Sequence, residues 1–169
     1  MAVVVQQMAP ARAAGVFMTL NPVNGDRSKL MIESVWGLGE PLVSGEATPD
    51  RFLVDKITGE VVKREHADKP TAAVRDPETG RGIALADVDP DRRGRASLTN
   101  DEIAELVRVG RLLERAAGAP QDGEFAVVDG DVLLLQCRPE TVWSRKPPKA
   151  VAKGGNAMAA MLGTLTNKP

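Results

Sequence analysis

The chain has 169 residues, 43% apolar and 27% charged, with a formal net charge of −1, the balance of one globular domain of ordinary size. Near-neutral charge gives no electrostatic case for a nucleic-acid partner, which needs a basic surplus on one face. A single cysteine, Cys137, excludes an intrachain disulfide and a cysteine-cluster metal site and fits a reducing, cytoplasmic setting; no apolar run approaches the ~18 residues of a membrane span.

In chain order, residues 3–8 (Val-Val-Val-Gln-Gln-Met) are β-branched and short, and predict a strand. Residues 15–19 predict a second strand, followed by turn chemistry in Asn21-Pro22-Val23-Asn24-Gly25. Residues 30–35 predict a third, interrupted by the flexible run Gly37-Leu38-Gly39-Glu40-Pro41. Residues 51–55 and 60–64 flank Ile57-Thr58-Gly59 as a hairpin. Residues 67–96 are rich in Asp, Arg, Gly and Pro and read mostly as exposed loop with short ordered pieces. With three Phe, two Trp and no Tyr in the whole chain, the core is expected to be aliphatic.

A helix is expected between Thr99 and Gly118. Thr99 as N-cap and Glu102 three residues on complete a capping box. Ile103, Leu106, Val107 and Leu113 share one face, and Gly118 suits a left-handed cap. Residues 124–128 and 131–138 form the clearest hairpin, across Asp129-Gly130. Residues 144–149 read as a linker and 150–169 as a small-residue tail, in which a short helix fits 157–162.

The last hairpin carries a carboxylate, an amide and a guanidinium: Glu124, Gln136 and Arg138. Whether they share a face depends on the turn. A two-residue loop pairs Glu124 with Leu135 and sets Glu124 and Gln136 on opposite faces. A three-residue loop with Gly130 in a left-handed bulge pairs Val127 with Asp131 and Glu124 with Leu134, making Glu124 and Gln136 diagonal neighbours. The odd loop leaves Phe125, Val127, Leu133, Leu135 and Cys137 as a core-like face, so the pattern favours it. Hard oxygen ligands beside an arginine suit a magnesium–polyphosphate site; a solvated polar face with a Glu–Arg pair is the plain alternative.

At this point the chain resembles the ATP-binding domain of the pyruvate, phosphate dikinase and phosphoenolpyruvate synthase family. The resemblance is carried by residues 2–8, by Ala11-Arg12-Ala13-Ala14-Gly15-Val16, by Trp36-Gly37-Leu38-Gly39-Glu40 with Val43-Ser44-Gly45, by Thr48-Pro49-Asp50, and by Gln121-Asp122-Gly123-Glu124 with residues 135–141 (Leu-Gln-Cys-Arg-Pro-Glu-Thr). It implies an α+β fold, the C-terminal lobe of an ATP-grasp domain: mainly antiparallel sheet with packed helices, over residues 1–143. It implies ATP and Mg²⁺ as cofactors. Gln7, Met8 and Ala9 would meet the adenine; Thr19 would lie near the terminal phosphates; Glu33 and Glu40 would lie near the sugar and phosphates. Glu124 and Gln136 would ligate Mg²⁺, and Arg138 would contact phosphate in a catalytic role.

The family departs from this sequence in places. A basic residue usually follows the threonine, where this chain has Leu20; many synthases have Asp-Ile-Glu-Trp where it has Asp122-Gly123-Glu124-Phe125. The family's N-terminal ATP-grasp lobe and its phosphohistidine domain have no match here, and His66 does not fit the catalytic His motif. Both would come from the same full-length protein or from a separate subunit, and pyruvate, a phenol or a rifamycin-type antibiotic would be the final acceptor. A noncatalytic nucleotide-binding module is the competing expectation.

Overall fold

The computed structural model describes residues 3–143; the linker, tail and short helix expected beyond them lie outside the described residues. The fold is α+β and mostly antiparallel. A six-stranded sheet has the order β4-β3-β2-β1-β7-β8, from β1 (Ala13–Met18), β2 (Lys29–Trp36), β3 (Asp50–Asp55), β4 (Val61–Glu65), β7 (Gln121–Val128) and β8 (Asp131–Pro139). A separate hairpin pairs β5 (Thr71–Arg75) with β6 (Ile83–Asp87). Two single-turn helices, α1 (Glu40–Val43) and α2 (Pro90–Arg93), lie in the connections, and α3 (Asn100–Ala117) packs on one face of the large sheet.

Alternation along the strands sorts side chains between two faces. The face under α3 takes Phe17, Leu30, Ile32, Phe52, Val54, Phe125 and Val127, which cluster with Ile103, Leu106 and Val107 of the helix. The expectation of an aliphatic core is corrected: all three phenylalanines are fully buried at its centre. Burying Ile103 or Leu106 stabilises the fold by about 1.5–3 kcal/mol each. Gly110 lets the helix settle closely, since a Cβ there would lie 2.6 Å from Leu30 Cδ1. Gly123 on β7 does the same within the sheet, because the Phe17 ring occupies the space its side chain would take.

The helix follows its sequence signals. The Thr99 hydroxyl accepts from the Glu102 N–H, the Glu102 carboxylate accepts from the Thr99 N–H, and Gly118 closes the C-terminus at φ 69°. Below the helix start lies a buried polar knot. The wholly buried Asp50 carboxylate accepts from Lys69 Nζ (2.6 Å), the N–H of Ala67 (3.0 Å), and both the N–H and hydroxyl of Ser97 (2.7 Å each). His66, a strand-end residue as expected, has Nδ1 3.8 Å from Asp50 and its ring edge-on to Phe52.

Two expectations are corrected. Residues 3–8 form no strand and are exposed, and no described strand pairs with them. In residues 67–96 the ordered pieces are the β5–β6 hairpin and the single turn of α2, with the rest outside regular elements and mostly exposed, as expected; β5 is held to the body by a bridge between Gly37 and Ala73 and by Leu38 N–H donating to the Ala73 carbonyl (2.7 Å). The last hairpin turns in two residues, with Asp129 at φ 53° and Gly130 at φ 93°, so that Val128 pairs with Asp131. The extra residue sits instead within β8, as a bulge opposite Glu124 and Phe125.

The two sheet edges differ. Lys63, Arg64 and Glu65 line the β4 edge, whereas β8 exposes Leu133, Leu134 and Leu135.

Two measurements test this framework. Thr99→Ala removes the cap and lowers unfolding free energy by about 1 kcal/mol in denaturant titration. The Lys29 ammonium, 2.8 Å away, together with the Ile57 and Thr58 N–H groups, holds the Asp55 carboxyl well below the usual carboxylate range. A lowered carboxyl pKa contributes stability above its unfolded value and loses it as pH falls. Asp55→Asn therefore lowers the thermal midpoint at neutral pH, and its difference from wild type shrinks once pH drops below about 4.

Candidate functional site

The sheet face away from α3 is open and carries the polar residues. Its register aligns them in rows. One row runs Gln136, Glu124, Val16, Glu33, Arg51 and Glu65 across β8, β7, β1, β2, β3 and β4. The next runs Arg138, Asp122, Met18, Met31, Leu53 and Lys63. Glu124 and Gln136 are thus direct cross-strand partners rather than diagonal ones. The β8 bulge, not the turn, brings them to one face. Opposed Cα atoms in such a pair are about 4.5–5.5 Å apart, close enough for both side chains to reach one ion.

Asp122, which the sequence reading did not single out, completes the group. It lies two residues before Glu124, hence on the same face, and that spacing was the signal available. Arg138 Nε stands 3.6 Å from Asp122 Oδ2. Asp122 Oδ1 is buried and has no hydrogen-bond partner among the described residues. Burial pushes the Asp122 carboxyl above its ordinary value, with Arg138 partly offsetting it. A desolvated, orphaned carboxylate oxygen beside a second carboxylate and an amide oxygen is a donor set that fits a hard divalent cation. Among the described residues no group of three or more His, Cys, Asp and Glu side chains forms a closed metal site; this set would leave positions open for a ligand.

Next to Glu124 lies a cleft of about 400 Å³. Gln6, Gln7, Met8 and Ala9 form one wall; Leu38, Gly39, Glu40 and Val43 form another; Ile83 of β6 stands over it; Ala14, Ala126 and Leu135 make the floor. The lining is largely apolar, with Glu40 at its rim on the first turn of α1. Such a slot, with backbone of an unpaired extended segment on one side, accommodates a flat ring that hydrogen-bonds along its edge.

The structure therefore brings together Gln7, Met8, Ala9, Glu40 and Glu124 around one cleft, with Gln136 and Arg138 continuing the face. Two expected residues fall elsewhere. Glu33 lies two strands from Glu124, about 10 Å across the sheet, where it pairs with Arg51 (Nε to Oε1, 2.7 Å) and lines a different cleft. Thr19 is 0% exposed on the helix side: its hydroxyl accepts from the Gln121 N–H (2.8 Å) and its carbonyl accepts from Lys56 Nζ (2.6 Å). In this arrangement its hydroxyl is spent on joining β1 to β7.

Among the described residues, no helix is long and apolar enough to cross a membrane. Known proteins are similar to this sequence. The chain is 40% identical over 162 residues to a protein named probable phosphoenolpyruvate synthase from Methanothermobacter thermautotrophicus, covering 96% of this chain and 23% of that one. It is 38% identical over 180 residues to the phosphoenolpyruvate synthase of Aeropyrum pernix, covering 90% and 22%. It is 43% identical over 144 residues to the prodigiosin synthesizing transferase PigC of Serratia marcescens, covering 85% and 16%. The chain thus spans less than a quarter of the length of these relatives. The family described as pyruvate phosphate dikinase, AMP/ATP-binding domain, matches residues 1–157, and the chain belongs to that family.

Proposed function

We propose that this chain is the ATP-binding part of a phosphoenolpyruvate synthase-like phosphotransferase. In this reading it is the C-terminal lobe of an ATP-grasp domain, and residues 144–169 lead on as linker and tail. The observation that carries it is the placement of Glu124, Gln136, Asp122 and Arg138 on two rungs of one β-ladder beside an apolar cleft. The opposing lobe and a phosphorylatable histidine come from elsewhere in the same protein or from a partner subunit, in a cytoplasmic setting.

The adenine enters the slot between residues 6–9 and α1, and Met8 packs on its face. Glu40 stands at the sugar end. Glu124 and Gln136 hold Mg²⁺ by carboxylate and amide oxygens, with Asp122 as a third donor. Bound Mg²⁺ neutralises charge on the phosphate chain. Arg138, steered by its pairing with Asp122, meets the phosphate that is transferred, where a fixed guanidinium stabilises charge in motion. Phosphoryl transfer needs mainly such positioning and charge neutralisation. One phosphoryl group of ATP would pass to the histidine nitrogen and then to an acceptor such as pyruvate, while reaction with water releases the rest of the nucleotide as AMP and phosphate. The likeness to a transferase of prodigiosin synthesis leaves acceptors of other chemistry, a phenol or a rifamycin-type antibiotic among them, as variants of the same reading.

In the assembled enzyme, Glu124→Ala and Arg138→Ala each cut ATP-dependent phosphorylation by about 100-fold or more. Wild-type turnover by either variant sinks the site assignment. If calorimetry finds that the wild-type chain binds ATP and that Mg²⁺ leaves the affinity unchanged, a noncatalytic nucleotide module becomes the better reading.

A further inference from the structure

Helix α3 buries one side and offers the other to solvent. Glu102, Ile103, Leu106, Val107 and Gly110 are buried on the side turned to the sheet. At 3.6 residues per turn, the opposite side carries Asp101, Ala104 and Glu105, then Arg108, Arg111, Leu112 and Arg115, all within about a third of the circumference. All are exposed except Glu105, which is half-buried. The charges on this stripe are segregated, acidic in its first part and basic in its second. A helix dipole favours that order but acts only within the terminal turns, where Asp101, Glu102 and Arg115 lie. It does not account for Glu105, Arg108 and Arg111. Asp101, Arg111 and Arg115 make no hydrogen bond or ion pair among the described residues. Leu112 is 55% exposed between the arginines, and Ile57 is 80% exposed in the β3–β4 turn. That turn and the basic part of the stripe bound a cleft of about 410 Å³.

Reversed end to end, the stripe is its own complement. We propose that α3 pairs antiparallel with α3 of a second copy of this chain, about a two-fold axis at Arg108. Equal spacing along the helix then sets Asp101 opposite the partner's Arg115, Glu105 opposite the partner's Arg111, and Ala104 opposite the partner's Leu112. Each contact occurs twice, as an isologous interface requires. The large apolar side chain of the stripe thereby meets the small one. The two Arg108 side chains meet at the axis already neutralised, since Nε and Nη2 of each donate to its own Glu105 at 2.7 Å. The Glu105 oxygens keep lone pairs for the facing arginine. A parallel pairing would set arginine against arginine and is disfavoured. Ile57 adds apolar surface at the flank of the contact. The stripe is only about 21 Å long, and surface ion pairs are individually weak. The dimer is therefore a transient one, with a dissociation constant on the order of 100 µM. Because α3 covers the side of the sheet away from the apolar cleft beside Glu124, the pairing leaves that cleft open in both copies. It does not depend on what the cleft binds.

Sedimentation equilibrium on the 169-residue chain tests the pairing. At low salt it is expected to show monomer and dimer, and in about 1 M salt, where charges are screened within roughly 3 Å, the dissociation constant is expected to rise about tenfold or more. Arg111→Glu with Arg115→Glu makes the whole stripe acidic; Asp101→Arg with Glu105→Arg makes it basic. Each double variant alone is expected to lose about tenfold or more in self-association. An equimolar mixture of the two is expected to regain it, because positions 101 and 105 of one then meet positions 111 and 115 of the other with opposite charge at every contact. A wild-type chain that stays monomeric at roughly 1 mM overturns the proposal, and the arginines then await an acidic partner of another kind. A dimer that either double variant leaves intact overturns it as well. So does a mixture that remains monomeric although both variants keep the wild-type thermal midpoint. Should a reversed variant fail to fold, Arg111→Gln with Arg115→Gln keeps helix-forming side chains and still decides: a dimer of undiminished strength refutes the pairing.

Discussion

A carboxylate with no access to water anchors the architecture. Asp50 sits at the start of β3 with zero exposure, and a charge so placed is tolerated only when every lone pair is used. Four donors from two stretches of chain meet it: Ala67 and Lys69 after β4, and Ser97, through its N–H and its hydroxyl, before α3. The knot thereby fixes where the β5–β6 hairpin leaves the sheet and where the long helix begins. The hairpin delivers Ile83 to the apolar cleft beside Glu124, and the helix closes the core beneath the polar rows. Arg12 ties the entering chain to the same place, donating to the Ser97 carbonyl and pairing with Glu102 while it stacks near Trp36. The position of residues 6–9 therefore depends on the same corner of the molecule.

The polar face is a product of register. Two-residue periodicity alone sets Glu124 against Gln136 on opposite faces if the turn is tight, and the turn is tight. One surplus residue in β8 resets the phase, after which Gln136 and Arg138 both follow Glu124 and Asp122. With the bulge in the strand, the turn stays at two residues, Asp129 at φ 53° and Gly130 at φ 93°, and Glu124 and Gln136 stand in direct opposition. It also swings Leu135 into the floor of the cleft, so one backbone irregularity shapes both the polar and the apolar part of the site.

Elements governed by local chemistry were legible in the sequence. The capping box at Thr99 and Glu102 and the terminator at Gly118 reappear atom for atom. The β3–β4 hairpin was visible from its turn. Elements governed by partners were not. Residues 3–5 have strand-forming side chains and no described neighbour to bond. The β5–β6 hairpin is built largely from alanines and held by Gly37, Leu38 and Lys69, contacts that a local reading has no means to see. Glu124, Gln136, Arg138, Glu40 and residues 7–9, singled out by residue type and family likeness, lie around or beside one cleft. Asp122 was passed over although its spacing from Glu124 was in view. Residue type alone does not tell where Thr19 and Glu33 lie: the Thr19 hydroxyl accepts from the Gln121 N–H across two strands, and Glu33 stands two strands from Glu124 on the same face.

Gly123 and Phe17 illustrate how a change beside a functional residue is absorbed. On β7 the volume between Asp122 and Glu124 comes from the neighbouring strand, as the Phe17 ring lying over Gly123. The two positions occupy one space between them, and their energies are not additive. Each residue is acceptable only in the company of the other, so a substitution at either is judged correctly only as half of a pair. A substitution tolerated at position 17 would redefine what is permitted at 123, between the carboxylates of Asp122 and Glu124, without altering any polar atom.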